Sequence, residues 1–172
     1  SLLPKYRGSS PIQSVLLSGE HETGVTLYLM DEKLDHGPIL AQRKTIIGDH
    51  EDYSHLEKRL AELGGALLAE TLPDFYAGKI KPMVQDEDRA TSTKKFLTQD
   101  AFVDSRDLIE AESENMEKAI KINRMIRAFV VEPGAWTMQD GKRVKLLASE
   151  VTASGLKLKK TQIEGEKPKL LN

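Results

Sequence analysis

Gly24-Val25-Thr26-Leu27-Tyr28-Leu29-Met30 runs without a break into Asp31-Glu32-Lys33-Leu34-Asp35-His36-Gly37-Pro38. The first half is apolar and rich in β-formers, which predicts a buried strand. The second half is a polar connection, and residues 38–45 predict a second strand. Loops at the C-terminal ends of strands in open α/β sheets carry ligands and catalytic groups. Gly37 permits close backbone approach or positive φ, and Asp35 adjoins the titratable His36. From spacing alone, a polar turn with capping aspartates is the commoner explanation of the same residues.

Upstream, residues 4–10 are rich in Pro, Gly and Ser and predict a loop. Ser10 as N-cap, Pro11 at the first helical position and Gly19 as stop predict a short helix over 11–17. Downstream, Leu56, Leu60, Leu63, Leu67 and Leu68 recur at three- and four-residue steps and predict one amphipathic helix reaching residue 76. Pro73 is expected to kink its end and Gly78 to stop it. Residues 79–89 predict an extended crossing segment. Residues 86–117 are acidic and poor in apolar side chains, which predicts a linker with some local helix. A second amphipathic helix follows over 118–129, with Ile122, Met125, Ile126 and Phe129 on one face. After Pro133-Gly134 come short β-like pieces at 135–138, 144–151 and 156–163. Asp140-Gly141 is a hairpin signal, and Trp136 is expected in the core of this small all-β module.

The chain has 172 residues, 39% hydrophobic and 30% charged, a composition of globular domains. No apolar stretch is long enough to cross a bilayer, and the opening residues lack a basic segment followed by an apolar one, so no signal peptide is expected. The absence of cysteine excludes disulfides, thiolate nucleophiles and cysteine-ligated zinc, and predicts a cytoplasmic setting. His21, His36, His50 and His55 lack metal-ligand spacing, so no metal is expected. There is no Walker loop, dinucleotide glycine fingerprint, HExxH or nucleophile elbow. Charge is uneven. Residues 1–117 carry 13 Lys+Arg against 22 Asp+Glu, and residues 118–172 carry 12 against 5. The basic end fits a polyanionic partner or, equally on charge alone, a solvated lysine-rich surface.

Ordered motifs narrow this. Ser1-Leu2-Leu3-Pro4-Lys5-Tyr6-Arg7-Gly8-Ser9-Ser10-Pro11-Ile12-Gln13 resembles the SLLPxYRGxxPIQ stretch of folate-dependent formyltransferases, in the branch acting on methionyl-tRNA. Gly19 to Thr26 resembles its GExxTGVT, and Asp31 to Gly37 its DExLDxG. Leu60-Ala61-Glu62-Leu63-Gly64 is similar to its helix. Ile126-Arg127-Ala128-Phe129 with Pro133-Gly134-Ala135-Trp136-Thr137 resembles the start of its C-terminal domain, and residues 159–168 its closing LxxxQxEGKKP.

The resemblance implies an α/β chain. The C-terminal half of a Rossmann-like formyltransferase domain would span 1–85, an acidic linker 86–117, and a small OB-like β-barrel that holds tRNA 118–172. It implies formyl transfer from the co-substrate 10-formyltetrahydrofolate to the α-amine of initiator methionyl-tRNA, in a monomer when complete, with no membrane partner. The family uses an Asn, a His and an Asp. The Asp corresponds to Asp35, whose implied role is to orient and charge-stabilise the histidine and an ordered water. Met30, Asp31, Leu34 and Asp35, with Ser1, Leu2, Leu3 and Pro4, would approach the pterin. Arg124, Arg127, Lys142, Arg143, Lys157, Lys159 and Lys160 would meet tRNA phosphates. The family's Asn-x-His-Pro lies just before SLLP, so this stretch alone is expected to be inactive, with a shortened barrel. The alternatives are a formyltransferase of another amine, such as glycinamide ribonucleotide or a nucleotide sugar, and a non-catalytic tRNA- or folate-binding remnant.

Overall fold

The structure, a computed structural model, describes residues 1–113 and 115–171. The chain forms two compact units. The first comprises Ser1–Val15, Glu20–Glu51 and His55–Lys95; the second comprises Leu16–Gly19, Asp52–Ser54 and Phe96–Asn172.

The first unit is built on a hairpin. Strand β2 (Glu22–Tyr28) pairs antiparallel with β3 (Ile39–Ile46), from Glu22↔Ile46 to Tyr28↔Ile39. β2 is half-buried along most of its length, not the fully buried strand expected. Residues 29–38 are too few for the crossover that parallel strands require, so the chain doubles back. The Asp35 loop is therefore a hairpin connection, placed at the C-terminal end of β2 as expected and joining it to β3. Two short strands, β1 (Arg7–Gly8) and β4 (Ser92–Thr93), pair in parallel beside it. Helix α1 (Pro11–Ser18) follows β1.

Helix α2 (Tyr53–Tyr76) buries Leu56, Leu60, Leu67 and Thr71. Leu68 is 44% exposed, against expectation. The 3.6-residue period carries the stripe from Leu67 to Thr71 and turns Leu68 away. Pro73 lies inside the helix. Gly78, at φ +72°, closes it, with N–H bonds from Gly78 to the Phe75 carbonyl and from Lys79 to the Asp74 carbonyl.

Arg59 of α2 clips the end of β3. It donates to both Glu51 carboxylate oxygens, at 2.9 and 2.7 Å, to the Ile46 carbonyl at 2.7 Å and to Thr45 Oγ1. Hydrogen bonding from Arg59 holds the Glu51 carboxyl below its ordinary pKa. A depressed folded-state pKa contributes stability above the unfolded value and loses it as pH falls through the folded one. Glu51→Gln is thus expected to cost about 1–2 kcal/mol near pH 7. That difference from wild type should shrink below pH 4.5 in urea unfolding series. A difference that persists undiminished at pH 3 counts against the clip.

The second unit holds α3 (Ser105–Ser113), α4 (Met116–Ala128) and four strands: β5 (Trp136–Gln139), β6 (Lys142–Thr152), β7 (Gly155–Ile163) and β8 (Lys169–Leu170). The Asn115 side chain caps α4 by accepting from the Lys118 N–H. Ile122, Ile126 and Phe129 are buried as the periodicity predicts, and Phe129 packs edge-on against Phe96. Asp140 and Gly141 both take positive φ at the tight β5–β6 turn. The strands order β5-β6-β7-β8 in one antiparallel sheet. Among the described residues β8 does not return to β5, so the expected OB-like barrel is an open sheet here. With four strands, two of them short, there is too little sheet to close. Residues 86–117 carry the local helix expected, at Glu87–Arg89, Thr98–Ala101 and Ser105–Ser113, and also contribute to packing. Residues 86–95 belong to the first unit and 96–117 to the second, and Ala101, Val103, Leu108 and Ala111 are buried.

Candidate functional site

Asp35 sits in the hairpin loop with φ +52°. Aspartate tolerates this left-handed conformation better than most residues. The turn points its carboxylate back at the frame. Oδ2 accepts from the Gly8 N–H at 2.7 Å and Oδ1 from the Tyr28 hydroxyl at 2.8 Å. Burial, followed by the bond to Asp35, raises the Tyr28 pKa, so the phenol remains a donor. Each carboxylate oxygen keeps further acceptor capacity. The group is a half-buried, oriented anion able to hold a cation or pass a proton.

Gly37 closes the loop. A Cβ there would lie 1.7 Å from the Leu29 carbonyl oxygen, and Leu29 donates its N–H to the Pro38 carbonyl at 2.9 Å. His36 turns away from Asp35. Its Nδ1 is 2.6 Å from Asp31 Oδ2 and its Nε2 is 3.5 Å from Glu87 Oε1. The hydrogen bond with His36, and then the Lys33 N–H, hold the Asp31 carboxyl below its ordinary pKa.

The four opening residues lie along β2. Thr26 Oγ1 accepts from the Leu3 N–H and donates to the Ser1 carbonyl. Gln42 donates to the Leu3 carbonyl. Leu3 is buried and borders the same cavity as its neighbours. Leu2 and Pro4 are half-buried and line a cavity of about 270 Å³ with Tyr6, Thr23 and Gln42. Met30 and Leu34 are 88% and 71% exposed, and Asp31 is exposed beside them.

Residues that sequence reasoning did not single out complete the site. Gln85 donates from Nε2 to the Asp35 carbonyl at 3.0 Å and the Gly37 carbonyl at 2.7 Å. Arg7 Nη2 donates to Gln85 Oε1 at 2.8 Å and to Glu87 Oε1 at 2.7 Å. Arg7 lies in a quoted motif. Gln85 lies fifty positions from Asp35, and no local pattern marks it.

The basic residues of the second unit divide. Lys142, Lys157 and Lys160 make no ion pair among the described residues. Lys159 pairs with Glu150 at 2.7 Å. Arg127 Nε donates to Asn123, and the Arg124 guanidinium packs on Gly19. Arg143 stacks 4.3 Å over Trp136, whose Nε1 donates to the Thr98 carbonyl. Trp136 is half-buried. Lys159, Arg127 and Arg143 thus each make a contact within the second unit. Among the described residues no group of three or more His, Asp or Glu could hold a metal ion, and no helix is long and apolar enough to cross a membrane.

Comparison with known proteins bears on both units. The formyl transferase family model matches residues 1–72, and the model of the formyl transferase C-terminal domain matches residues 116–168. The chain belongs to the formyl transferase family. Among curated relatives, methionyl-tRNA formyltransferase of Roseiflexus sp. is 40% identical over 153 residues, 89% of this chain and 44% of its own length. That of Thermotoga neapolitana is 42% identical over 149 residues, 87% of this chain and 44% of its own. This formyl transferase chain thus spans less than half the length of these relatives. Among solved structures, methionyl-tRNA formyltransferase from Clostridium thermocellum shares the fold with a TM-score of 0.66 at 17% identity, over 95% of this chain and 65% of that one. An N-formyltransferase from Helicobacter canadensis, solved with folinic acid and dTDP-3-aminofucose, gives 0.66 at 23%, over 87% and 52%.

Proposed function

We propose that the protein carrying this chain transfers a formyl group from 10-formyltetrahydrofolate to the α-amine of initiator methionyl-tRNA, with Asp35 in its catalytic site. The observation that carries the reading is the Asp35 carboxylate, held between the Gly8 N–H and the Tyr28 hydroxyl in a loop matching the family's LDxG. The identity of 36–42% to methionyl-tRNA formyltransferases supports the amine.

In this reaction the amine attacks the formyl carbon, a tetrahedral intermediate forms, and the bond to the folate nitrogen breaks. The amine must lose a proton and the leaving nitrogen must gain one. An anion fixed beside the proton carrier stabilises its charged form without reorganising. Asp35 is suited to that, since both oxygens are oriented by donors and retain acceptor capacity. Met30 and Leu34 present exposed apolar surface on an otherwise polar loop, which suits a planar ring lying against it. The co-substrate supplies the activated formyl group; Asp35 and its loop supply orientation and charge.

The basic second unit would meet tRNA phosphates through Lys142, Lys157 and Lys160, which have no ion-pair partner among the described residues. Three such contacts predict a log–log salt slope contribution of roughly −2 to −3. Affinity for methionyl-tRNA should fall about 10- to 100-fold between 50 and 200 mM salt. In the triple Lys→Ala variant this dependence should flatten, as followed by filter binding. A wild-type affinity flat across that range removes the phosphate role.

The deciding test offers the full protein 10-formyltetrahydrofolate with either initiator methionyl-tRNA or a dTDP-amino sugar, and follows formylated product by chromatography. The expected product is formylmethionyl-tRNA. Preferential formylation of the sugar, or tRNA binding with no transfer, would overturn the reading.

A further inference from the structure

Gln85 is 5% exposed, and its amide is committed on both sides. Its flanks explain how it gets there. Met83 exchanges backbone hydrogen bonds with Ile39 at the start of β3, 2.8 Å each way. This pins the 83–87 segment beneath the hairpin loop. The side chain then reaches the carbonyls of Asp35 and Gly37 with one nitrogen. Its oxygen faces Arg7, which donates from Nε at 3.2 Å and Nη2 at 2.8 Å. The two carbonyls can only accept and the guanidinium can only donate, so the amide fits one way round. Glu87 holds the outer edge of Arg7 through Nη1 at 3.0 Å and Nη2 at 2.7 Å. The chain of bonds runs Glu87, Arg7, Gln85, then the backbone on either side of His36.

We propose that Gln85 is the positioning residue of the Asp35 loop: its two N–H bonds hold the backbone at Asp35 and Gly37, and thereby set where the Asp35 carboxylate stands. This rests on Asp35 acting in formyl transfer. The carboxylate's own donors, Gly8 and Tyr28, lie in the frame. They fix its position only if the loop backbone stays where Gln85 holds it. Asp35 keeps a left-handed φ, a conformation that surrounding bonds must maintain. The acceptor side of Gln85 is replaceable by a carboxylate, which would still receive Arg7. The donor side is not, because a carboxylate has no hydrogen for the two carbonyls.

Gln85→Glu separates the two halves of the clamp, and the near-isosteric Gln85→Met removes both. In the full protein each variant should lower kcat about 10- to 100-fold, with KM for 10-formyltetrahydrofolate changed by less than about threefold. In an Asp35→Asn background the same substitutions should add less than about a further twofold, since the positioned group is already lost. Hydrogen exchange over residues 29–38 should quicken about tenfold in both Gln85 variants, a readout that needs no turnover. Unchanged kcat beside a slow Asp35→Asn, a full multiplicative loss on top of Asp35→Asn, or unchanged exchange would each overturn the clamp. The two failures are distinct. Silent Gln85 variants beside a slow Asp35→Asn sink the clamp alone. A silent Asp35→Asn beside quickened exchange sinks the catalytic reading and leaves the loop clamp standing.

Discussion

Asp35→Asn should lower the rate of methionyl-tRNA formylation by about 10²- to 10⁴-fold, the usual worth of a positioned proton-handling group. The fold should survive. Asparagine tolerates the left-handed φ of +52° that this position adopts. One amide oxygen can still accept from Gly8 or Tyr28, the donors to the native carboxylate. What goes is the negative charge and the ability to accept from both sides. Single-turnover formylation with a thermal melt separates the two effects. A slow variant with a near-native melt is the expected pair. Near-normal formylation sinks the role of Asp35, whatever the melt shows.

Gly37→Ala should act through stability instead. The added methyl would stand 1.7 Å from the Leu29 carbonyl oxygen and 2.9 Å from its carbon, both backbone atoms that cannot swing aside. Relief requires opening the Leu29–Pro38 bond that closes the hairpin. The expected cost is about 3 kcal/mol or more, at the top of what overpacking costs. That corresponds to a fall of roughly 12–24 °C in the melt of the first unit. Gly65→Ala is the control. Nothing lies within 4 Å of a Cβ there, and alanine favours helix, so stability should rise by about 0.5–1 kcal/mol. If both variants melt alike, the close approach at Gly37 is not what holds the loop.

Periodic and capped segments were legible because their causes are local. Leu56, Leu60 and Leu67 follow the helical repeat into the core. Asp140-Gly141 dictates its turn through backbone preference alone. The failures have equally particular causes. Leu68 is apolar and adjoins the stripe in sequence, but the helical repeat turns it away and puts the polar Thr71 in the core instead. Lys159, Arg127 and Arg143 are visible as basic residues, but their contacts with Glu150, Asn123 and Trp136 exist only in the fold. The strand after residue 24 was visible, but its partner and direction depended on where the chain returned.

By itself, then, the sequence determined the family and the positions of α1, α2, α4 and the β5–β6 turn, and it singled out Asp35 as a candidate carboxylate. Each of these is written in neighbouring residues, where propensity, periodicity and motif act over a few positions. Tertiary structure alone decided what holds that carboxylate. Gly8, Tyr28 and Gln85 lie 27, 7 and 50 positions from Asp35. Their hydrogen bonds exist only once β1 has paired with β4 and the hairpin has closed. Short-range bonds reach about 3 Å, so partners this far apart along the chain are chosen by folding and leave no local trace.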